Sequence, residues 1–462
     1  MKDIFRRARD LAELVRKQEE VLIVTHIDAD GITSGAIAAS SLERIGIDYE
    51  IKFIKNIDKN VLREIADENK FVWFTDLGSG SIDLIVRSGI NFIISDHHRP
   101  SGYSRFQLNP NEFGISGEYE LSGSSTTYLI SKNLGLNYDL IPIAVVGAVG
   151  DLQDLKEGRL IGLNRMIVEE GIRFKLIDVK KDLRFFGKQT RPVFKMLEYT
   201  FDPFLPGISG NERGAIEFLR KIGIRLKDER WRRWIDLSMD EKRTIVSELV
   251  KLCIERNVPL EAIKRIVGET YILLREDEGT ELRDAAEFST LLNATARYGY
   301  CDIGLKICLG VCSEKNEGFE RAYRKARNLL QKHRKNLSEG LKIVEKRIYE
   351  LENIQYFHAG WDILDTIVGI VAGMSFSKVR MDKPIIAFAY TNEGVKVSAR
   401  ATQKLVDMGV NLAEAIRIAC EKIGGSGGGH SIAAGAIIPK GSEDEFLKEI
   451  DRIIGKQLRR EI

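Results

Sequence analysis

A chain of 462 residues is long enough for two or three domains, each with its own core. Its 70 basic and 68 acidic residues leave a net charge of +2, so any nucleic-acid binding has to come from local patches and not from overall charge. The longest apolar stretch, around residues 141–149, is too short to cross a bilayer, and five cysteines without a Cys-x-x-Cys pair signal neither a zinc ribbon nor a disulfide framework.

Residues 1–20 carry a charged amphipathic helical pattern without a secretory apolar core, which predicts a cytoplasmic protein with no membrane partner. The apolar run from Val21 to Val24 then gives way to Thr25-His26-Ile27-Asp28-Ala29-Asp30-Gly31. A run of that length bounded by glycine predicts a buried strand, and the periodic residues 32–45 predict a helix after it. One imidazole and two carboxylates therefore leave the carboxyl end of a strand, where open α/β sheets bind ligands. The competing reading is a capped turn in which Asp28 or Asp30 holds the first helical N–H groups.

The pattern then repeats. Residues 49–54 predict a strand, 59–69 a helix, and 71–75 a strand that ends at Asp76-Leu77-Gly78. Residues 91–95 predict another, running into Asp96-His97-His98. Strands and helices alternating at this spacing predict βαβ units and a parallel sheet. Residues 123–134 read as a small-residue helix against that sheet, and residues 141–150 as one more apolar segment of the strand-end kind, terminating in Asp151. With Asp28, Asp30, Asp76, His97 and Asp151 all at such ends, the convergence predicts a metal centre. Carboxylates and imidazole without cysteine suit Mn²⁺ or Mg²⁺. Asp76, on a strand expected between the others, is the natural bridge between two ions that activate a water and hold a phosphoryl oxygen.

Residues 188–335 have a different character, with a turn-rich loop at 203–210 and helical patterns at 212–222 and 239–256. Residues 319–351 predict one long helix whose first half is rich in Arg and Lys, read either as a solvated face or as a surface that tracks a phosphate backbone. Beyond it, strands are expected at 384–390, 395–399 and 433–438, and helices at 363–374 and 411–423. Ser398 and Arg400 stand near one strand end, and a glycine run including Gly427, Gly428 and Gly429 closes at His430. Glycine at that density lets main-chain N–H groups approach an anion, which predicts a phosphate cradle clamped by Arg400 and His430. The residues alone thus point to phosphodiester hydrolysis in an interdomain cleft.

The ordered set Asp28-Ala29-Asp30-Gly31, Asp76, Asp96-His97-His98, Asp151 and Gly427-Gly428-Gly429-His430 resembles the DHH phosphoesterase superfamily with a DHHA1-type terminal domain. Length and helical insertion resemble the archaeal RecJ-like nucleases within it. The resemblance implies an α/β fold: a parallel-sheet DHH catalytic domain over 1–187, a mostly helical module over 188–335, and a smaller DHHA1 domain over 336–462 with a long connecting helix. It implies two Mn²⁺ or Mg²⁺ ions on Asp28, Asp30, Asp76, His97 and Asp151, with His98 on the scissile phosphate, Asp96 behind it, and Arg400 and His430 on nucleotide phosphates. Many members carry their first ligand histidine four residues before the first Asp, where this chain has Val24. His26 stands two before it, on the side of Asp28 in an extended chain, and is expected to complete the first metal site or to support it.

The implied activity is release of mononucleotides from an end of single-stranded DNA or RNA in replication or repair, with 5′ to 3′ favoured over the opposite polarity. A phosphodiesterase for short oligonucleotides or cyclic dinucleotides is one alternative. A replisome scaffold binding GINS or a repair helicase is another, although scaffolding relatives have lost metal ligands that this chain keeps.

Overall fold

The computed structural model describes residues 2–201 and 203–459. Two compact units divide the chain, Met1–Leu330 and Gln331–Ile462. In the first, α1 (Lys2–Val15) leads into β1 (Glu20–His26), α2 (Ala29–Arg44), β2 (Asp48–Ile54), α3 (Lys59–Asp67), β3 (Phe71–Thr75), α4 (Ile82–Arg87), β4 (Phe92–Ser95) and the short β5 (Gln107–Leu108). The strands are parallel and ordered β2-β1-β3-β4-β5. Burial on both faces explains the unbroken apolar runs. Leu22 and Val24 join Val72, Phe74 and Ile94 in a core with α3 and α4, while Val21 and Ile23 join Trp73 and Ile93 in the larger core on the opposite face. Chain order reverses between β1 and β3, so a crevice opens beyond their carboxyl ends.

The larger core is built from α2 with α5 (Gly123–Leu134), α6 (Ile141–Gly150) and α7 (Gly162–Arg173). Here the structure corrects one expectation. Residues 141–150 form a helix and not a strand, so Asp151 enters from the carboxyl end of α6. Every residue from Ile141 to Val149 is buried, and a short run that is apolar on all sides carries no period to separate buried helix from buried strand.

After α7 the chain makes an excursion. β6 (Ile177–Leu183) leads to α8 (Val193–Glu198), α9 (Glu212–Lys221), α10 (Met239–Glu255) and α11 (Leu260–Lys264), and β7 (Val267–Leu273) returns antiparallel to β6. These helices enclose a core of their own around Phe194, Leu219, Trp234 and Leu249. α12 (Ala285–Arg297), α13 (Cys301–Cys312) and the start of α14 (Glu317–Arg347) rejoin the first core, as far as Leu330.

The excursion is tied down at the amino end of α12. Asp284 caps that helix and lies 3.1 Å from Lys188 Nζ. Buried Glu287 accepts from the Gln189 N–H and the Thr190 hydroxyl, both at 2.7 Å. Burial, reinforced by Asp284, pushes Glu287 up to about 7. A carboxyl raised in the folded state contributes stability below its unfolded value of about 4.5 that is lost as pH rises through 7. Glu287→Gln, which keeps an acceptor without the charge, is therefore expected to raise the melting temperature at pH 8 and to match the parent at pH 5. Thermal melts across that range check it, and a constant difference would refute the linkage.

In the second unit, β8 (Tyr349–Glu350), β9 (Gln355–His358), α15 (Asp365–Met374), β10 (Ile385–Tyr390), β11 (Val395–Arg400), α16 (Gln403–Asp407), α17 (Leu412–Ile423), β12 (Ser426–Gly429), β13 (Ala433–Ile438) and α18 (Glu443–Leu458) build a mixed sheet ordered β12-β13-β11-β10-β9-β8. The long helix ends at Arg347 and not at residue 351, because Tyr349 and Glu350 pair with β9. The five cysteines are buried and unpaired. Among the described residues, no helix is long and apolar enough to cross a membrane.

Candidate metal centre

β1 ends at His26, and Asp28 is the N-cap of α2, its Oδ1 accepting the Gly31 N–H at 2.9 Å. Capping occupies only that oxygen. Oδ2 lies 3.0 Å from His26 Nδ1, so the capped-turn and ligand readings of Asp28 coexist. Asp30, in the first turn of α2, accepts the N–H groups of Gly123 and Ser124 at 2.7 and 3.0 Å. These open α5, and the amino end of a helix favours a carboxylate. Asp76 follows β3 at φ +58°, a left-handed conformation that Asp tolerates better than most side chains. Two glycines make room for these groups: a Cβ on Gly123 would collide with Asp76, and one on Gly147 with Asp30.

His97 Nδ1 donates to the Gly117 carbonyl at 2.6 Å, so that Nε2 is the nitrogen that offers a lone pair whenever the ring is neutral. That nitrogen is 3.3 Å from Asp76 Oδ1, 3.7 Å from Asp151 Oδ2 and 3.8 Å from Asp30 Oδ2. Gln153 Nε2 donates to Asp151 at 3.0 Å, and Asn164 in turn fixes Gln153. Asp96 is fully buried and accepts from the N–H groups of Ser79, His97 and His98. It also faces His98 Nδ1 at 2.8 Å.

Ligand-type atoms fall into three neighbouring groups, His26 with Asp28 and Asp76, Asp30 with His97 and Asp151, and Asp76 with Asp96, His97 and His98, the atoms of each lying within 4.8 Å of one another. Asp76 looks both ways, with Oδ2 3.8 Å from His26 and Oδ1 3.3 Å from His97. Burial, and then the charges of Asp30 and Asp28, push Asp76 well above the carboxylate range. Burial also raises Asp151 against the pull of His97. Among the described residues Asp76 Oδ1 has no hydrogen-bond partner. A buried carboxyl oxygen without a donor, crowded by further carboxylates, is what a divalent cation satisfies, and oxygen and imidazole donors without thiolate fit Mn²⁺ or Mg²⁺.

Sequence reasoning missed α12. Asn293 Oδ1 accepts the Ala29 N–H at 3.1 Å, and one turn on, half-buried Arg297 feels Asp28, whose attraction opposes the lowering by burial. The i, i+4 spacing of Asn293 and Arg297 was the available signal, but nothing local says which element that face meets.

Ser398, Arg400, Gly427, Gly428, Gly429 and His430 all lie in the second unit. Arg400 pairs in register with Ala433, and the His430 N–H donates to the Ala433 carbonyl, which brings Arg400 and His430 to one end of the sheet. The Arg400 guanidinium and the Ser398 hydroxyl crowd Gly369 of α15, where a Cβ would come within 2.7 and 3.1 Å of them. The glycine run is the exposed edge strand β12, and Gly427 packs where a Cβ would come within 2.7 Å of Ile416.

A parallel sheet whose switch point gathers carboxylates and imidazoles, joined to a mixed-sheet unit, defines the RecJ-like class of fold. The DHH family N-terminal domain matches residues 20–148, the DHH-CID domain 185–267 and the DHHA1 domain 353–456. An uncharacterized protein of Methanocaldococcus jannaschii is 32% identical over 451 residues, covering 95% of this chain and 94% of its own. The chain belongs to the DHH family. The single-stranded-DNA-specific exonuclease RecJ of Bacillus subtilis is 27% identical over 186 residues, which are 36% of this chain and only 24% of that protein. Among solved structures, a manganese-bound exonuclease RecJ has the same fold at TM-score 0.60 and 16% identity, over 99% of this chain and 96% of the other. CDC45 from Entamoeba histolytica has it at TM-score 0.65 and 14% identity, over 98% of each.

Proposed function

We propose that the protein is a two-metal phosphodiesterase that releases mononucleotides from an end of single-stranded DNA or RNA. The observation that carries this is the carboxylate of Asp76, one oxygen toward His26 and the other toward His97. His26 and Asp28 would hold one Mn²⁺ or Mg²⁺ ion, Asp30, His97 and Asp151 a second, and Asp76 both. When bound, such ions supply Lewis acidity and a nucleophilic water at neutral pH.

The chain's own residues position the phosphoester. Burial works against charge on His98, yet Asp96 more than reverses this and pushes the imidazole up to about 9. At neutral pH His98 thus carries both ring protons, with Nδ1 committed to Asp96 and Nε2–H available to a phosphate oxygen. Ser398, Arg400 and His430 would bind nucleotide phosphates. Gly428 supports the cradle reading: a Cβ there would meet nothing within 4 Å, so packing does not demand glycine, whereas close approach of an anion to the main chain does.

Likeness to RecJ supports a single-stranded substrate and 5′ to 3′ digestion. Oligonucleotides of DNA and of RNA, labelled at either terminus and incubated with Mn²⁺ or with chelator, test it. The expected result is metal-dependent release of labelled mononucleotide from the 5′ label first. Early release from a 3′ label reverses the polarity, and no release from either end refutes the activity. A second reading, a replisome scaffold that binds GINS or a repair helicase, is favoured by the likeness to CDC45 and is compatible with hydrolysis.

A further inference from the structure

We infer that the excursion between β6 and β7 carries a second contact for the same strand, a ladder of alternating rings and cations that holds single-stranded nucleic acid away from its reacting end. This rests on the reading that the substrate is a single strand. The Arg191 guanidinium lies 4.7 Å from the Tyr199 ring centre, and Lys195 Nζ lies 5.6 Å from the same ring and 5.8 Å from Phe194. Phe194 meets Trp231 edge to face at 5.0 Å, and Lys227 Nζ is 5.8 Å from Trp231. Tyr199 and Trp231 remain 37% and 46% exposed.

Several features suit this surface to a nucleic acid. Residues 219–233 hold seven basic side chains against two acidic, a local excess the whole chain lacks. Most are spent within the fold: Arg225 pairs with Asp228, Arg232 with Glu241, and Arg230 and Arg233 with Asp236. Lys195 likewise pairs with Glu198 and Glu212. Lys227 lies over a ring. A single strand brings one phosphate with every base, which matches cations set beside exposed rings, and stacking on such rings tolerates any sequence.

The ladder is also rooted beside the metal centre. Gln189 and Thr190, next to Arg191, bond Glu287 in the first turn of α12, and Asn293 of the same helix bonds Ala29 of the metal loop. Six residues of α-helix span about 9 Å.

The test uses the full chain in chelator, so that nothing is hydrolysed, with fluorescently labelled dT₂₀ and dT₄ followed by anisotropy. The parent is expected to bind dT₂₀ more tightly than dT₄. Tyr199→Ala/Trp231→Ala should weaken dT₂₀ binding by roughly thirtyfold or more, from typical stacking energies of two rings, and dT₄ binding much less. Trp231→Phe should retain most of the dT₂₀ affinity. Lys227→Met, a change at an exposed side chain, should flatten the dependence of log affinity on log salt by about one. Parent-like dT₂₀ binding by the double variant, the outcome for a surface that serves a protein partner, overturns the inference, as does equal affinity of the parent for dT₂₀ and dT₄. Lack of hydrolysis by the parent in Mn²⁺ would instead refute the exonuclease reading and leave these binding results standing.

Discussion

Asp76→Ala is expected to reduce Mn²⁺-dependent hydrolysis of single-stranded oligonucleotides by at least about a thousandfold, because it removes the carboxylate that faces His26 with one oxygen and His97 with the other. The same change should not lower the melting temperature measured in chelator. Asp76 is buried, its Oδ1 is unpartnered among the described residues, and neighbouring carboxylates press it toward the neutral form. Without a cation that carboxylate costs stability, and removing it relieves more than the strain that alanine adds at the left-handed φ of +58°. Adding Mn²⁺ should raise the melting temperature of the parent and raise that of the variant less, since the variant keeps Asp30, His97 and Asp151. Hydrolysis at the parental rate by Asp76→Ala would sink the assignment.

Asp30→Ala should abolish activity too, but with the opposite effect on the fold. Its two oxygens are the acceptors for Gly123 and Ser124 at the start of α5, and the residue is only 2% exposed. Truncation strands two buried N–H groups, at about 3 kcal/mol, and in chelator the melting temperature should fall by roughly 5 to 10 °C. Asp30→Asn keeps an acceptor and should recover part of that stability without recovering hydrolysis. Two carboxylates of one centre are thereby separated by a measurement that does not involve catalysis. Equal melting temperatures for the two alanine variants would show that Asp30 does not brace α5.

Much of this arrangement was legible in the chain because it is local. Asp28, Asp30, Asp76 and Asp96-His97-His98 directly follow strands, and an apolar run that stops at a charged residue marks a strand end wherever it occurs. Asp151 was picked out on a false premise: it converges with the others, but from a helix, since α6 is buried all round and a buried run has no period to read. Gly123, Gly147 and Asn293 were illegible for a different reason. Each matters through what it meets across the fold, Asp76, Asp30 and Ala29, and no pattern in their own neighbourhoods announces those partners. The glycine run reads in the sequence as a phosphate cradle because glycine at that density lets main-chain N–H groups approach an anion, and nothing in it announces a strand. It pairs as an edge strand because β13 and α17 leave no room for a larger side chain at Gly427.

The excursion between β6 and β7 also sets when the loop at Ala29 can be completed. Asp30 is made early, whereas Asn293, which braces the Ala29 N–H beside it, lies beyond the whole inserted core. At ordinary rates of protein synthesis, about 5 to 20 residues per second, on the order of 10 to 50 s separate the two. During that interval the carboxylates of the first half stand on a nascent sheet without α12 behind them. The brace on the Ala29 N–H is therefore added only after the inserted core has been synthesised.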